Sequence, residues 1–321
     1  MRRGVLNMDF VDVSKRLLKD NMGLVAGERL VVVYDETTLQ IGESLFLAGC
    51  ALGAKTAAIR IPVPERNGAE PDDIVSAAMK AADVVVAPTG ASLTHTKARK
   101  RACEAGACVA TMPRITGDMY FNGPITADYT IVEAVTKRYT ELLSHAGTAE
   151  IITGGHSLSM SLAGREGHPS TGVYRNRGES GNLPSGEAYI APVEGSANGS
   201  VVIDGSFVGL GVLDEPLLLT FRDGLLAGIE GRGGSTILAQ LGDNPKARNL
   251  AELGIGTNDR ARFTGVILED EKIYGTVHIA LGSNDTFGGT VAAGIHIDGV
   301  MRKPTLRLDG RVVVEGGRLT A

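Results

Sequence analysis

The amino-acid sequence predicts an α/β N-terminal domain with a parallel, doubly wound sheet, followed by a C-terminal mostly-β (α+β) metal-binding domain. Three observations lead to this prediction. Apolar runs alternate with helix-like segments over residues 1–150, which is the pattern of βαβ units. Short β-rich runs separated by glycine-rich turns fill residues 151–321, as in a β-rich domain. Histidines and carboxylates recur in the last third of the chain, in spacings that suit a metal ion.

Composition and charge exclude several classes of protein. The chain has 321 residues, enough for two domains with their own cores. Its formal net charge of −5 argues against a nucleic-acid binder, because such proteins usually carry a basic excess. No apolar run approaches the roughly 18 residues that a membrane-spanning helix needs, and we do not expect residues 1–7 to begin a signal peptide. Three cysteines without a pairing pattern indicate free thiols, so we expect a cytoplasmic protein.

The elements of the first domain follow from hydrophobic periodicity and from capping residues. Residues 29–34 form a continuous apolar run after their first residue, as in a strand buried on both faces. Thr94 is suited to cap a helix that Gly106 closes. The remaining predicted strands cover residues 56–61, 83–87 and 108–112, and the predicted helices cover residues 11–18, 41–52, 71–82, 94–105 and 127–143. Residues 34–38 lack the glycine-rich turn of a dinucleotide site, which argues against nucleotide binding.

The second domain is predicted to consist of short strands with one helix. The strands cover residues 187–191, 200–204, 217–222 and 312–315, and the helix covers residues 234–241. Glycine contributes 43 residues to the chain, above the usual ~7%, and marks tight turns between these strands. Residues 175–186 are rich in glycine and serine, so they are predicted to form a loop that leads into the site.

Histidines and carboxylates in this domain carry the strongest functional signal. His296 and Asp298 are two residues apart in a strand-like segment, so period-2 alternation puts both on one face, about 6–7 Å apart. His278 lies in a second short apolar strand, Glu252 has apolar and glycine neighbours, and Glu187 begins a strand. Because no thiol lies near these residues in the sequence, the set suits zinc, cobalt, manganese or ferrous iron.

These residues also have ordinary structural interpretations. Glu187 fits a solvent-facing position on a half-buried strand, Glu252 fits a buried salt bridge, and His278 fits a core histidine. The acidic segment 269–271 predicts a solvated turn balanced by Lys272, with Glu271 as a minor candidate for supporting the ligands.

His95 is a separate candidate in the first domain. It starts a helix after the third predicted strand, at the carboxyl edge of the sheet, where ligands of such folds often bind. It is either a residue that faces the cleft between the domains and contacts substrate, or an exposed or capping histidine in the first helical turn.

The motifs around these residues resemble those of a known enzyme family. Segments 182–187, 252–256, 278–282 and 296–298, with 94–96 and 108–113 in the first domain, are similar to the aminopeptidase T/S group of metallo-aminopeptidases (family M29), most closely to its shorter branch. The resemblance implies two metals held by two glutamates, two histidines, an aspartate and a tyrosine. The positions that match are Glu187, Glu252, His278, His296 and Asp298. The chain departs from the pattern at Gly186, where a second glutamate is usual, and at the tyrosine expected after the first histidine.

The same superfamily includes a ring-opening enzyme, 2,5-dihydroxypyridine 5,6-dioxygenase. That enzyme uses one ferrous ion in a two-histidine, one-carboxylate arrangement, and the histidine that matches His95 lies near its substrate. The position that matches Glu252 is a histidine there, and those that match Glu187 and His278 are not ligands. Because this chain keeps both glutamates and His278, it resembles the peptidases more than the dioxygenase.

We therefore predict an aminopeptidase-type hydrolase that removes N-terminal residues from short peptides through a metal-activated water. The predicted metal ligands are Glu187, Glu252, His278, His296 and Asp298, and the predicted catalytic residues are Glu187, Glu252 and His95, with one glutamate as general base. Zinc, cobalt or manganese is the expected cofactor. The alternatives are a ferrous ring-cleaving dioxygenase and a non-catalytic binding protein on the same fold. We expect a small-molecule or short-peptide substrate and a homo-oligomer, without nucleic-acid or membrane partners.

Overall fold

The computed structural model describes residues 8–321, so the prediction that no signal peptide begins at residues 1–7 lies outside the described part. The chain forms two compact units. The first contains the residues up to Tyr129 together with Gly172–Ser185, and the second contains Thr130–Thr171 and Gly186–Ala321. None of the helices described is long and apolar enough to cross a membrane.

The described residues form helices and strands as follows. The α-helices are α1 (Met8–Arg16), α2 (Leu39–Ala51), α3 (Asp73–Ala81), α4 (Lys97–Glu104), α5 (Gly117–Phe121), α6 (Tyr129–His145), α7 (Gly234–Leu241) and α8 (Ile267–Asp270). The strands up to residue 203 are β1 (Arg29–Tyr34), β2 (Lys55–Arg60), β3 (Val84–Thr89), β4 (Cys108–Pro113), β5 (Thr148–Thr153), β6 (His156–Ser161), β7 (His168–Ser170), β8 (Ser180–Asn182), β9 (Glu187–Ile190) and β10 (Asn198–Ile203). The later strands are β11 (Ser206–Phe207), β12 (Gly211–Val212), β13 (Leu217–Arg222), β14 (Leu225–Glu230), β15 (Leu250–Gly256), β16 (Val277–Gly282), β17 (His296–Met301), β18 (Thr305–Leu308), β19 (Arg311–Glu315) and β20 (Arg318–Leu319).

The first unit is built on a five-stranded parallel sheet in the order β2-β1-β3-β4-β8. Val31 and Val33 of β1 belong to a buried cluster with side chains of α3 and α4. Leu30 and Tyr34 of the same strand contact the glycines of α2. Because successive strand residues point to opposite faces, helices cover both faces of this sheet. The predicted α/β fold with a parallel, doubly wound sheet is confirmed.

Two local features of the first unit differ from the prediction. Residues 175–186 are not only a loop, because β8 lies within them and pairs with β4 in parallel. Thr96, not Thr94, caps α4, since its hydroxyl oxygen accepts a hydrogen bond from the Arg99 amide at 3.2 Å. The Thr94 hydroxyl lies 2.7 Å from the Thr111 hydroxyl and donates to Asn182 instead.

The second unit contains two antiparallel sheets. The eight-stranded sheet has the order β14-β13-β10-β6-β5-β18-β19-β20, and the seven-stranded sheet has the order β12-β11-β17-β16-β15-β9-β7. One buried apolar cluster takes side chains from both sheets, so they share a core. Tyr139 and Leu143 of α6 also belong to it. This packing assigns α6 beyond Tyr129 to the second unit, whereas the sequence put the boundary after residue 150.

The four central strands of the seven-stranded sheet have two different faces. Residues such as Leu253, Ile255, Ile279 and Leu281 point into the shared core. Their neighbours along each strand point to the other face, and these include Glu252 and His278. The alternation of the sheet therefore gathers polar side chains from separate parts of the sequence on one surface.

Candidate metal centre

Five residues that the sequence singled out come together on this face. Glu187 begins β9, Glu252 lies in β15, His278 lies in β16, and His296 and Asp298 lie in β17. Ala280 of β16 is opposite Glu252 on one side and opposite Asp298 on the other. Since an alanine side chain is small, both carboxylates can approach the centre of the sheet face.

The ionisable atoms of these residues form one continuous chain of contacts. The His278 Nε2 lies 3.3 Å from Glu187 Oε2 and 3.3 Å from Glu252 Oε1. The His296 Nε2 lies 3.5 Å from Glu252 Oε2 and 3.4 Å from Asp298 Oδ1. All three carboxylates are buried. Burial of ionised carboxylates is costly unless nearby cations or hydrogen-bond donors compensate the charge, so the face must contain or acquire positive charge.

Glu252, His296 and Asp298 make up what we call the His296 group. One ligand atom from each residue lies within 4.8 Å of the other two. Two ligands bound about 2.0–2.2 Å from a common ion at a tetrahedral angle are roughly 3.3–3.6 Å apart. The distances from His296 Nε2 to the two carboxylates, 3.5 and 3.4 Å, fall in that range. The group therefore fits one divalent ion.

The orientation of His296 suits a ligand. Its Nδ1 lies 2.8 Å from the Ser283 carbonyl oxygen. A carbonyl can only accept, so Nδ1 donates and Nε2 is the atom that faces Glu252 and Asp298. Burial opposes protonation of this ring, but Asp298 and Glu252 raise the pKa of His296 to about 10. An incoming metal ion must therefore displace the Nε2 proton.

Glu187, Glu271 and His278, with Lys272 among them, make up what we call the Lys272 group. Ligand atoms of the first three lie within 4.8 Å of one another. The Lys272 side chain is only 3% exposed, and its Nζ donates to Glu187 Oε1 at 2.5 Å and also to Glu271. This group already contains a cation.

The pKa values in the Lys272 group follow from burial and from this lysine. Burial alone would raise the pKa of the Glu187 carboxyl, but Lys272 and His278 beside it lower that pKa to about 2. Burial, with Glu187 and Asp298 nearby, raises the pKa of Glu271 to about 8 in spite of Lys272. Burial disfavours a charged Lys272, yet Glu187 and Glu271 keep its pKa above the ordinary value.

His278 joins the two groups and differs from His296. Burial opposes its charge, but Glu187 and Glu252 raise its pKa well above the ordinary value. Its Nδ1 is buried and has no hydrogen-bond partner within residues 8–321, whereas the Nδ1 of His296 is bonded to a carbonyl. Gly254, opposite His278 in the sheet, leaves room for the ring, since a Cβ at Gly254 would overlap the His278 imidazole.

The acidic segment 269–271 differs from its prediction. It is not a solvated turn: Glu269 and Asp270 are fully buried, and only Glu271 is partly exposed. Asp270 accepts hydrogen bonds from the Thr264 and Gly265 amides at 2.8 and 3.0 Å. Those bonds hold α8 so that the following Lys272 turns inward. A run of charges in a sequence gives no signal of such burial, and Lys272 was missed as a site residue for that reason.

Aromatic side chains lie next to His296. The Phe287 ring is edge-on to His296, with 5.9 Å between the ring centroids, and it also meets Tyr189 at 5.4 Å. The His168 ring lies 5.5 Å from the Tyr189 ring. Phe287 belongs to the segment between β16 and β17. Glu194 anchors that segment, because it accepts hydrogen bonds from Asn284 at 3.0 Å and from the Thr290 amide at 2.8 Å.

His95 belongs to the first unit. It lies between β3 and α4 and is exposed. The prediction that it contacts substrate stays a prediction.

Comparisons with known proteins agree with the fold and with the suspected superfamily. The family model described as 2,5-dihydroxypyridine 5,6-dioxygenase (NicX) matches residues 10–321. No curated protein sequence matches the chain.

Two solved structures show the same fold. The 2,5-dihydroxypyridine dioxygenase from Pseudomonas putida KT2440 has a TM-score of 0.79 and 19% identity, over 97% of this chain and 97% of its own. Wild-type AmpT from Thermus thermophilus has a TM-score of 0.74 and 15% identity, over 99% of this chain and 100% of its own. Because the family model spans nearly the whole chain, the protein belongs to the 2,5-dihydroxypyridine 5,6-dioxygenase family.

Proposed function

We propose that the chain is a mononuclear metal-dependent enzyme that opens a small hydroxylated aromatic ring with dioxygen. The observation that carries the proposal is the orientation of His296, whose Nδ1 donates to a backbone carbonyl while Nε2 faces two buried carboxylates. A hydrogen bond of this kind orients metal-binding histidines in proteins. The family match over residues 10–321 supports ring opening as the reaction.

The ligand set supports a redox-capable divalent ion. One imidazole nitrogen and two carboxylate oxygens suit ferrous iron as well as manganese, cobalt or zinc. Glu252 and Asp298 together carry two negative charges, which balance the charge of one divalent ion. Such an ion supplies a Lewis acid with open coordination positions. The related dioxygenase has a histidine where this chain has Glu252, so this chain would hold the ion with one more negative charge.

The residues around the His296 group have separate proposed roles. His278, protonated beside Glu252, orients that carboxylate through a charge-assisted hydrogen bond. Phe287 and Tyr189 provide flat apolar surface close to His296. Aromatic pairs prefer offset or edge-on contacts and gain free energy beyond their burial. This surface therefore favours a planar ring over a flexible peptide as substrate.

A second candidate is the metal-dependent aminopeptidase predicted from the sequence. Its support is specific: the chain keeps Glu187, Glu252 and His278, three positions that match ligands of the peptidases, and it has the fold of AmpT. In that case Glu252 would bridge two ions, and Glu187 and His278 would be ligands. His95 remains a candidate substrate contact in both proposals.

One set of assays separates these functions. Metal-free protein is loaded with ferrous iron under nitrogen and then given air with 2,5-dihydroxypyridine or 2,5-dihydroxybenzoate. We expect one molecule of dioxygen to be consumed for each aromatic ring that is opened, because both oxygen atoms enter the product and no reductant is consumed. Zinc-, cobalt- and manganese-loaded samples are tested in parallel on dipeptides and chromogenic amino-acid amides. Peptide cleavage without any oxygen uptake would overturn the dioxygenase proposal in favour of the aminopeptidase.

Matched variants tie either activity to the site. His296→Ala should abolish the activity and the metal content, whereas His145→Ala, which changes an exposed histidine at the end of α6, should change neither. If the His296→Ala variant keeps full activity, the His296 group is not the centre. If the unmodified chain has neither activity and binds no divalent ion, a non-catalytic binding protein becomes the better interpretation.

A further inference from the structure

The Lys272 group has the carboxylates and the histidine of a metal site, yet the ammonium group of Lys272 lies among them. Ligand atoms of Glu187, Glu271 and His278 lie within 4.8 Å of one another. Lys272 Nζ bonds to two of these three residues, with 2.5 Å to Glu187 Oε1. One oxygen atom of each of these two carboxylates is therefore engaged by an ammonium group.

The backbone holds this ammonium group in place. The backbone N–H of Lys272 donates to the Glu269 carbonyl at 2.9 Å, and the Lys272 carbonyl accepts from the backbone N–H of Asn258 at 2.8 Å. The residue as a whole is 2% exposed. Both backbone groups of the residue are hydrogen-bonded, and its side chain is only 3% exposed. Lys272 is thus a buried part of the group and not a surface lysine.

We propose that Lys272 is a built-in cation that occupies the second metal position, so that this chain binds one divalent ion and cannot bind two. The proposal rests on the proposed metal centre at the His296 group. An ammonium ion and a divalent ion repel each other, and they would compete for the same Glu187 oxygen. With Lys272 in the second metal position, Glu252 binds a single ion instead of bridging two. Lys272 is then a positioning residue that decides the number of metals.

The test is metal stoichiometry, which does not depend on any activity. Metal-free protein is equilibrated with manganese, separated from free ion by gel filtration, and analysed for metal per chain. We expect one ion in the unmodified chain, two in Lys272→Ala, and one in Lys272→Arg, which keeps a cation. Lys137→Ala is the matched control, since Lys137 makes an exposed ion pair with Glu133, and it should bind one ion.

A second measurement needs no variant, in case Lys272→Ala does not fold. Electron paramagnetic resonance of the manganese-loaded unmodified chain should show an isolated ion. A spin-coupled pair would overturn the proposal, as would folded Lys272→Ala that still binds only one ion.

Failure of the metal centre gives a different pattern. If the unmodified chain binds no ion and Lys272→Ala binds one, the proposed centre at the His296 group is wrong while the role of Lys272 is upheld. If neither protein binds an ion, both proposals are wrong.

Discussion

The His296 group and the Lys272 group lie on one face of one sheet, yet they compensate their buried carboxylates differently. The Lys272 group has a resident ammonium ion that is bonded to two carboxylates. The His296 group has no lysine, and its compensating charge comes from His296 and the neighbouring His278, whose charges depend on protons. Its carboxylates are buried, whereas the His296 side chain is 32% exposed. Similar sets of acidic residues can therefore form a closed ion-pair network or a site that is open to a ligand.

The largest difference between the groups should appear when a ligand of the proposed centre is removed. Asp298→Asn keeps the shape of the side chain but removes the charge that faces His296 Nε2, 3.4 Å away. We expect metal affinity to fall by more than about 100-fold, since changes in residues that only support ligands already cost about 10–100-fold. Metal titration checks this, with Asp285→Asn, an exposed aspartate, as control. Equal affinities in the two variants would contradict the assignment.

Removing the resident cation should affect stability strongly. Lys272→Met leaves Glu187 buried without its ammonium partner, and we expect the metal-free protein to lose about 3–5 kcal/mol of unfolding free energy. Lys137→Met breaks an exposed pair with Glu133 and should cost only about 0.3–0.5 kcal/mol. Urea unfolding of both variants measures the difference. Similar losses in the two would mean that the Lys272 group is not held together by its lysine.

Glu252 contacts His278 of the Lys272 group and His296 of the His296 group, so its variants test whether it binds one ion or bridges two. Glu252→Gln removes a charged ligand, and we expect metal affinity to drop by about 100-fold, at or beyond the cost of changing residues that only support ligands. Glu252→His replaces the carboxylate with a nitrogen ligand, the residue type that the resemblance implies for the dioxygenase, so in the proposed function it should retain ferrous iron and oxygen-dependent activity. An aminopeptidase would instead lose activity with both variants, because a neutral imidazole offers one nitrogen lone pair and binds one ion, whereas a carboxylate can bridge two. Iron content and both assays distinguish these outcomes.

A smaller effect is expected from crowding the histidine that joins the groups. Gly254→Ala would bring a Cβ onto the His278 imidazole, and overpacking of this kind costs about 1–3 kcal/mol. Gly228→Ala in β14 is the matched control, because a Cβ there meets nothing within 4 Å, so its cost should be well under 1 kcal/mol. Thermal unfolding compares them. A Gly254→Ala protein as stable as the control would show that His278 moves freely.

A separate effect is expected on the pH dependence of the metal-free His296 group. The folded-state pKa of His296 is raised to about 10, above the unfolded value of about 6.5. The charged ring therefore stabilises the fold fully below about pH 6.5, and this contribution is lost as pH rises through about 10. Unfolding of metal-free protein and of His296→Gln should differ more at pH 6 than at pH 10. A constant difference would mean that His296 is neutral in the folded protein.

Much of this molecule follows from local sequence patterns. The apolar run 29–34 predicts β1, which is buried except at Arg29, because a central parallel strand has both faces covered. The two-residue spacing of His296 and Asp298 puts them on one face of β17, since side chains alternate along every strand. Glycine- and serine-rich segment 175–186 gave no sign of β8, whose three residues are too few for a periodic signal.

Local sequence patterns are sufficient to identify the central strands of the parallel sheet and the alternation that puts His296 and Asp298 on one face. How the polar side chains combine depends on the tertiary structure. Glu187 meets Lys272 across 85 positions of sequence. Glu187 pairs with Gly256 at the end of β15, and the backbone amide of Asn258, two residues further on, donates to the Lys272 carbonyl. A charged segment such as 269–272 is exposed in most proteins. It is buried here because its carboxylates and its ammonium group find partners that are distant in sequence, and local patterns contain no information about such partners.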